Sequence, residues 1–346
     1  MKIALDAMGG DYAPDNIVHG AVLALAEYAH ITKLYLTGDT PRIEAELKKH
    51  GCTDSRIEIV HTTQIVDMSD SGLDAVRRKK DSSVSRAVDL VKEGKAQAMV
   101  SAGHTGAAVT ASLIKLRTLP GIERPAIASI MPSLGKHWVL IDAGANPDAE
   151  PSHLVQNAFM GAAYAEHVLK RANPVIGLMS NGTEEEKGNA MTKETRALLR
   201  GIPSLNFRGN VEGHDLFHDP PDVVVCDGFV GNVLLKTCEA MAGAMFEMIK
   251  RELYASLRTK IGALLAKPAF KRVHKQTNAD EYGGSPLLGV NGVTIIAHGG
   301  ASALAMKNAL RMACETIRHE VNPHIIEAVK RHHESKKPAS LSHAAP

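Results

Sequence analysis

The stretch AQAMVSAGHTGAAVTASLIKLR, residues 96–117, carries the pattern on which the fold turns. Ala96 to Ser101 is a short, mostly apolar run that reads as a buried strand, and residues 105–117 read as a helix. Between them, Ser101-Ala-Gly-His-Thr-Gly106 packs two glycines and short polar side chains into a tight strand-to-helix turn. The same unit recurs along the chain. Strands are expected at Lys2 to Leu5, Lys33 to Thr37, Arg56 to Val60, Trp138 to Ala143, Val175 to Ser180, Asp222 to Cys226 and Val293 to Ala297. Helical patterns fall between them at 15–29, 84–93, 152–170, 188–200 and 229–249, with Asp15, Ser83 and Ser152 as expected N-caps. Alternation of this kind predicts an α/β fold with a mostly parallel sheet covered by helices on both faces.

Composition narrows the class. The chain has 346 residues, 44% apolar and 23% charged, with 40 Lys+Arg against 38 Asp+Glu, which excludes a disordered or fibrous chain. Aromatic residues make up 4% and Trp138 is the single tryptophan, leaving little to build a base-stacking surface, so nucleic acid is not an expected partner. Cys52, Cys226, Cys238 and Cys314 lie far apart without a CxxC, which gives neither a disulfide framework nor a zinc spacing. No metal is expected, and a reducing cytosol is the expected setting. The opening MKIALDAMGG is too short in apolar residues for a signal peptide, and no run of about 18 apolar residues occurs. No internal repeat or linker divides the chain, so residues 1–333 are expected to form one large domain, and the polar tail 334–346 to be disordered.

Six loops concentrate Gly, Asn, Asp and Thr where ligands bind in open α/β sheets, just after strands. They supply the candidate binding residues Asp6, Gly9, Gly10 and Asp11; His104, Thr105 and Gly106; Asn146; Asn181, Gly182 and Thr183; Asp227 and Gly231; and His298 and Gly299. Glycine lets the backbone approach closely, and each following helix aims its N–H groups at the same crevice, a recipe for holding phosphate. There is no GxGxxG after a strand, no GxxxxGK[ST], no GxSxG and no HExxH, so the standard dinucleotide, P-loop, serine hydrolase and zinc protease readings fall away. Lys187 fits either a solvated lysine paired along its helix or a cation that neutralises bound phosphate. Asn232 fits either a helix-start contact or an amide that donates to a tetrahedral oxyanion. His104 and His298 fit either proton transfer or a backbone bond.

Residues 245–275 form a further feature. Ile249, Leu253, Leu257, Ile261 and Leu265 recur at i,i+4, so an apolar stripe is expected along a helix until Pro268 interrupts it. Residues 250–275 hold eight Lys/Arg and one Glu, net +7, which leaves 32 against 37, net −5, for the remainder. A basic amphipathic helix reads as a membrane-surface or acidic-partner element, or as a core or dimer-interface helix with a solvated basic face. Leu253, Leu257, Arg258, Lys260, Ile261 and Leu264 are its candidate contact residues. Arg77-Arg-Lys-Lys80 is a second, shorter basic run.

MKIALDAMGGDYAP at the start, SAGHTGA at 101–107, LIDAGAN at 140–146, NGTEEEKGN at 181–189, FRGNVEG at 207–213, DGFVGNVLLKT at 227–237 and YGGSPLLGVNG at 282–292 resemble the bacterial phosphate acyltransferases of phospholipid synthesis, from Met1 to about His333. The resemblance implies a Rossmann-like α/β/α sandwich of the isopropylmalate dehydrogenase and phosphotransacetylase kind, with a protruding helical hairpin at about 245–280. It implies transfer of a fatty acyl group from acyl carrier protein to inorganic phosphate, without a cofactor or a covalent enzyme intermediate. Lys187 would hold phosphate and Asn232 the oxyanion. It further implies a cytoplasmic homodimer working at the inner membrane surface, beside the membrane glycerol-3-phosphate acyltransferase that consumes the acyl phosphate. His104 departs from the family pattern, where Asn is expected. A nicotinamide-dependent dehydrogenase and a non-catalytic membrane-surface scaffold are the alternatives.

Overall fold

The computed structural model describes residues 1–67 and 69–335. In chain order the strands are β1 (Lys2–Asp6), β2 (Lys33–Gly38), β3 (Ile57–His61), β4 (Ala98–Ser101), β5 (Ala126–Pro132), β6 (His137–Ile141), β7 (Val175–Met179), β8 (Asn206–Val211), β9 (Val223–Val225), β10 (Ser285–Leu288) and β11 (Val293–Ile296). The helices are α1 (Asp15–Glu27), α2 (Thr40–Lys49), α3 (Gly72–Arg78), α4 (Ser83–Lys92), α5 (Thr105–Leu116), α6 (Pro151–His167), α7 (Ala190–Arg200), α8 (Gly228–Leu253), α9 (Leu257–Thr277), α10 (Ala279–Tyr282), α11 (Ala303–Arg318) and α12 (Val321–Ser335). All eleven strands join one sheet in the order β3-β2-β1-β4-β11-β10-β5-β6-β9-β7-β8.

Successive strand residues face opposite sides of the sheet, and the two sides carry separate cores. Ile3 and Leu5, Val139 and Ile141, and Val223 and Val225 belong to one; Ala4, Trp138 with Leu140, and Val224 belong to the other. The expected layers of helix, sheet and helix are therefore present, and strands buried on both faces explain the unbroken apolar runs.

The sheet is mostly parallel, as expected, with three antiparallel pairings, β11 with β10, β10 with β5, and β5 with β6. Three expectations need correction. Strands β5, β8 and β10 add to those read from the sequence. The N-caps lie one or two residues earlier, at Pro14, Ser82 and Glu150 rather than Asp15, Ser83 and Ser152. Pro268 sits inside α9, and the long helical pattern breaks instead at Tyr254 to Ser256. There Ser256 closes a capping box: its Oγ accepts from Thr259 N and Thr259 Oγ1 accepts from Ser256 N. α8 and α9 thus form the expected helical hairpin, with Phe246 of one packed on His274 of the other. α12 runs on through Ser335, so Glu334 and Ser335 are helical; the remainder of the expected disordered tail lies outside the described residues.

Candidate active site

Sheet direction divides the six glycine-rich loops. β1, β4 and β11 run parallel to one another, as do β6, β9 and β7, but three antiparallel pairings lie between the two groups. An odd number of reversals turns the second group against the first, so the loops leave opposite ends of the sheet. One shared crevice, as the sequence suggested, is replaced by two clusters of three loops.

The first cluster holds Asp6, Gly9, Gly10, Asp11, His104, Thr105, Gly106, His298 and Gly299. Asp6 is buried; its Oδ2 accepts from Ser101 Oγ at 2.7 Å, and burial pushes its carboxyl above the usual range. Asp11 N donates to Gly299 O, which ties the loop after β1 to the loop after β11. His104 is the N-cap of α5: its Nδ1 accepts from Ala107 N at 3.0 Å, as the oxygen of an asparagine would. That bond places the imidazole proton on Nε2. His298 Nδ1 accepts from Gly300 N in the same manner.

The second cluster holds Asn146, Asn181, Gly182, Thr183, Lys187, Asp227, Gly231 and Asn232. Its strands end in register, with Ile141 and Leu178 both paired to Val225. Asp142, absent from the expected site, organises it. Its buried carboxylate accepts from the N–H groups of Ile127, Gly144, Ala145 and Asn146 and from Asn146 Nδ2. Burial raises its carboxyl above the usual range while those bonds pull it down. The signal was present: Asp6, Asp142 and Asp227 each close or follow a strand.

Asn146 O accepts from Gly228 N, and Asp227 Oδ1 caps α8 by accepting from Phe229 N and Val230 N, both at 2.9 Å. Gly231 N donates to Asp227 O. All four leading N–H groups of α8 are thereby taken, so this helix start offers no free donors to a phosphate, contrary to expectation. Gly231 permits the approach: a Cβ there would lie 1.9 Å from Asp142 O.

The side chains with reactive potential surround this scaffold. Asn232 packs against Gly144, whose Cβ position lies 3.4 Å from Asn232 Cβ. Lys187 lays its stem over Gly182, and its N–H donates to Glu184 O; Gly188 N donates to Asn181 Oδ1, closing the loop on itself. Cys226 is buried, with Sγ 3.6 Å from Asp142 O, and burial holds its thiol well above the usual range. A thiol so suppressed is a poor nucleophile. The two clusters are connected by α8: it starts beside Asn146 and passes His298 at Glu239, whose carboxyl burial raises and His298 lowers.

The family model described as fatty acid synthesis protein matches residues 1–324. The chain is 49% identical over 333 residues to the phosphate acyltransferase of Pelobacter propionicus, covering 96% of this chain and 95% of that one. It is 49% identical over 336 residues to that of Akkermansia muciniphila, covering 96% of each. Among solved structures, a phosphotransacetylase from Streptococcus pyogenes aligns with TM-score 0.60 at 20% identity, covering 95% of this chain and 94% of that one. A branched-chain phosphotransacylase from Enterococcus faecalis aligns with TM-score 0.55 at 17% identity, covering 91% and 99%. These two likenesses establish the shared fold. With its full-length relatives at nearly half identity, the chain is an acyltransferase that belongs to the fatty acid synthesis protein family, among the phosphate acyltransferases.

Proposed function

We propose that the second cluster transfers a fatty acyl group from acyl carrier protein to inorganic phosphate, releasing the carrier and an acyl phosphate. The observation that carries this reading is the convergence of the Lys187 and Asn232 loops, with the Asp142 loop, on three adjacent parallel strands that end in register. A phosphate oxygen attacks the thioester carbonyl carbon, a C–O bond forms, and the C–S bond breaks with departure of the thiolate. Lys187 neutralises phosphate charge, and the Asn232 amide donates to the tetrahedral oxyanion. A thiolate leaves readily, so no covalent enzyme intermediate is required, and the suppressed Cys226 thiol agrees with direct attack. No cofactor enters the scheme.

The hairpin supports the partner reading. Leu257, Ile261, Leu264 and Leu265 project from α9 at 76%, 55%, 70% and 79% exposure, interleaved with Arg258 and Lys260. Such a face suits an anionic membrane surface or the acidic carrier protein. Along α8, Phe229, Val233, Met241, Met245 and Met248 are exposed, and only Gly228 and Gly231 are buried; a second copy covering this stripe would give a homodimer. No helix among the described residues is long and apolar enough to cross a membrane. A cytoplasmic enzyme held peripherally at the inner membrane face, handing acyl phosphate to a membrane glycerol-3-phosphate acyltransferase, fits these features.

The test is phosphate-dependent release of free carrier protein from acyl carrier protein, with phosphate-free and acyl-CoA controls. Release only with phosphate, together with acyl phosphate, is expected. Lys187→Ala and Asn232→Ala should each lower kcat by on the order of 100-fold or more with an unchanged thermal midpoint. Activity of both variants near the parent level would overturn the assignment of roles.

A further inference from the structure

The loop that carries Lys187 is tied down at several points. Ser180 N donates to Val211 O, Gly188 N donates to Asn181 Oδ1 at 2.8 Å, and Asn189 Oδ1 caps α7 by accepting from Thr192 N. Between those ends, Glu184 O accepts from Lys187 N at 3.2 Å and also from Asn210 Nδ2 at 2.9 Å. Asn210 belongs to β8, in the FRGNVEG segment that none of the six glycine-rich loops contains, and it is 8% exposed. Its Oδ1 has no partner among the described residues, so the bond to Glu184 O is the one polar contact that this buried amide makes through its side chain.

A bulge puts Asn210 in that position. The register of β7 with β8 slips, pairing Ile176 with Phe207, Gly177 with Gly209 and Leu178 with Asn210, so Arg208 is the extra residue. Side chains alternate along a strand, and one added residue reverses the face of every residue after it. Asn210 therefore shares a face with Leu178, on the side of the core that α7 joins through Leu199, while Val211 falls in the opposite core. Gly209 permits the bulge by taking φ +118°, which other residues adopt only with strain. Charge completes the arrangement. Three glutamates, Glu184 to Glu186, immediately precede Lys187, yet Lys187 pairs with no carboxylate among the described residues. Arg200 of α7 pairs with Glu185 instead, and holds its carboxyl below the usual range.

We propose that Asn210 and Arg200 are positioning residues for Lys187: Asn210 fixes the backbone of its loop, and Arg200 takes Glu185 out of competition, so that the ammonium stays free for phosphate. Neither touches the substrates. Without Asn210 the Glu184 carbonyl keeps only the bond from Lys187 N, and the loop loses its tie to the sheet between its two ends. Without Arg200 the Glu185 carboxylate, two residues from Lys187, competes with phosphate for the same cation. The proposal rests on the acyl-transfer reading, in which Lys187 holds the phosphate.

The test is steady-state turnover of the full chain, with inorganic phosphate and acyl carrier protein substrate varied separately. kcat/KM for phosphate should fall about threefold in Arg200→Gln, the scale of an exposed ion pair, and about fivefold in Asn210→Ala, the scale of one hydrogen bond. KM for the acyl donor should not move in either. Arg200 is exposed, so Arg200→Gln should keep the parent's thermal midpoint and guards against misfolding as the cause. Two further measurements separate positioning from a merely structural role. Glu185→Gln added to Arg200→Gln should restore kcat/KM for phosphate, because the competing carboxylate is gone. In a Lys187→Ala background, Arg200→Gln and Asn210→Ala should cause no further loss, since residues that act through one group are not additive. Parent-level kcat/KM in both single variants, failure of Glu185→Gln to restore it, or full extra losses in the Lys187→Ala background overturns the proposal. If those results come with an inactive Lys187→Ala, the acyl-transfer reading stands without it; if Lys187→Ala itself turns over like the parent, the role of Lys187 and its positioning fall together.

Discussion

Asp142 accepts five hydrogen bonds from one buried position, and Gly231 gives α8 the room to start directly above it. Neither residue is chemical, yet both fix where Asn232 sits. Gly231→Ala forces a methyl group into the Asp142 carbonyl, a clash with backbone that no rotamer relieves. It should destabilise the protein by more than about 3 kcal/mol, read as a large fall in the denaturation midpoint. His104 makes a milder case. Because its ring nitrogen accepts from Ala107 N, His104→Asn should keep the cap, whereas His104→Ala should cost about 1 kcal/mol of stability. Equal midpoints for the alanine and asparagine variants would show that the cap bond contributes nothing. An asparagine at this position and the histidine present here would thus meet the same local demand.

At the scale of the element, α8 and α9 contradict the usual economy of a globular helix, which buries one face. None of the residues of α9 is buried, and its apolar side chains point outward on a helix rich in cations. Pro268 is tolerated inside it because a carbonyl left without its N–H partner on an exposed helix can bond water. Leu257→Glu should remove co-sedimentation with anionic vesicles while leaving phosphate-dependent turnover in solution unchanged, since Leu257 contacts no core. Retained sedimentation would remove the membrane role from this helix. The same association should weaken steeply as ionic strength rises, because the segment from 250 to 275 carries net +7.

Across the whole molecule, several histidines lie where burial disfavours their charged form. His167 of α6 stacks on His324 of α12 with ring centroids 3.4 Å apart, and burial first, then His324, hold its pKa below the usual value. His30, His137 and His319 are likewise lowered, chiefly by burial. A histidine with a depressed native pKa binds a proton more readily when unfolded, so stability rises with pH across the window below about 6.5 and is lost on acidification through it. The denaturation midpoint should therefore fall between pH 7.5 and 5.5, and His167→Gln should flatten that fall. A variant with the same pH dependence as the parent would remove the stacked pair as its source.

The sequence by itself determined the layered α/β fold, the glycine-rich turns after its strands, the basic hairpin and the family. Each of these is local: apolar runs, turn residues and helical spacing act over a few neighbours, and the quoted motifs are contiguous. Only the tertiary structure decided how the loops combine. The pairing of β10 with β5 joins segments far apart in the chain, so nothing nearby announces it, and the three antiparallel pairings that β5 and β10 bring into the sheet split six loops into two clusters. The bond of Ile127 to Asp142 and that of Gly228 to Asn146, which takes the first donor of α8, arise from where strand order places separate segments. Pairing across a sheet depends on contacts between residues far apart in the chain, and a periodic pattern read along one segment carries no record of them.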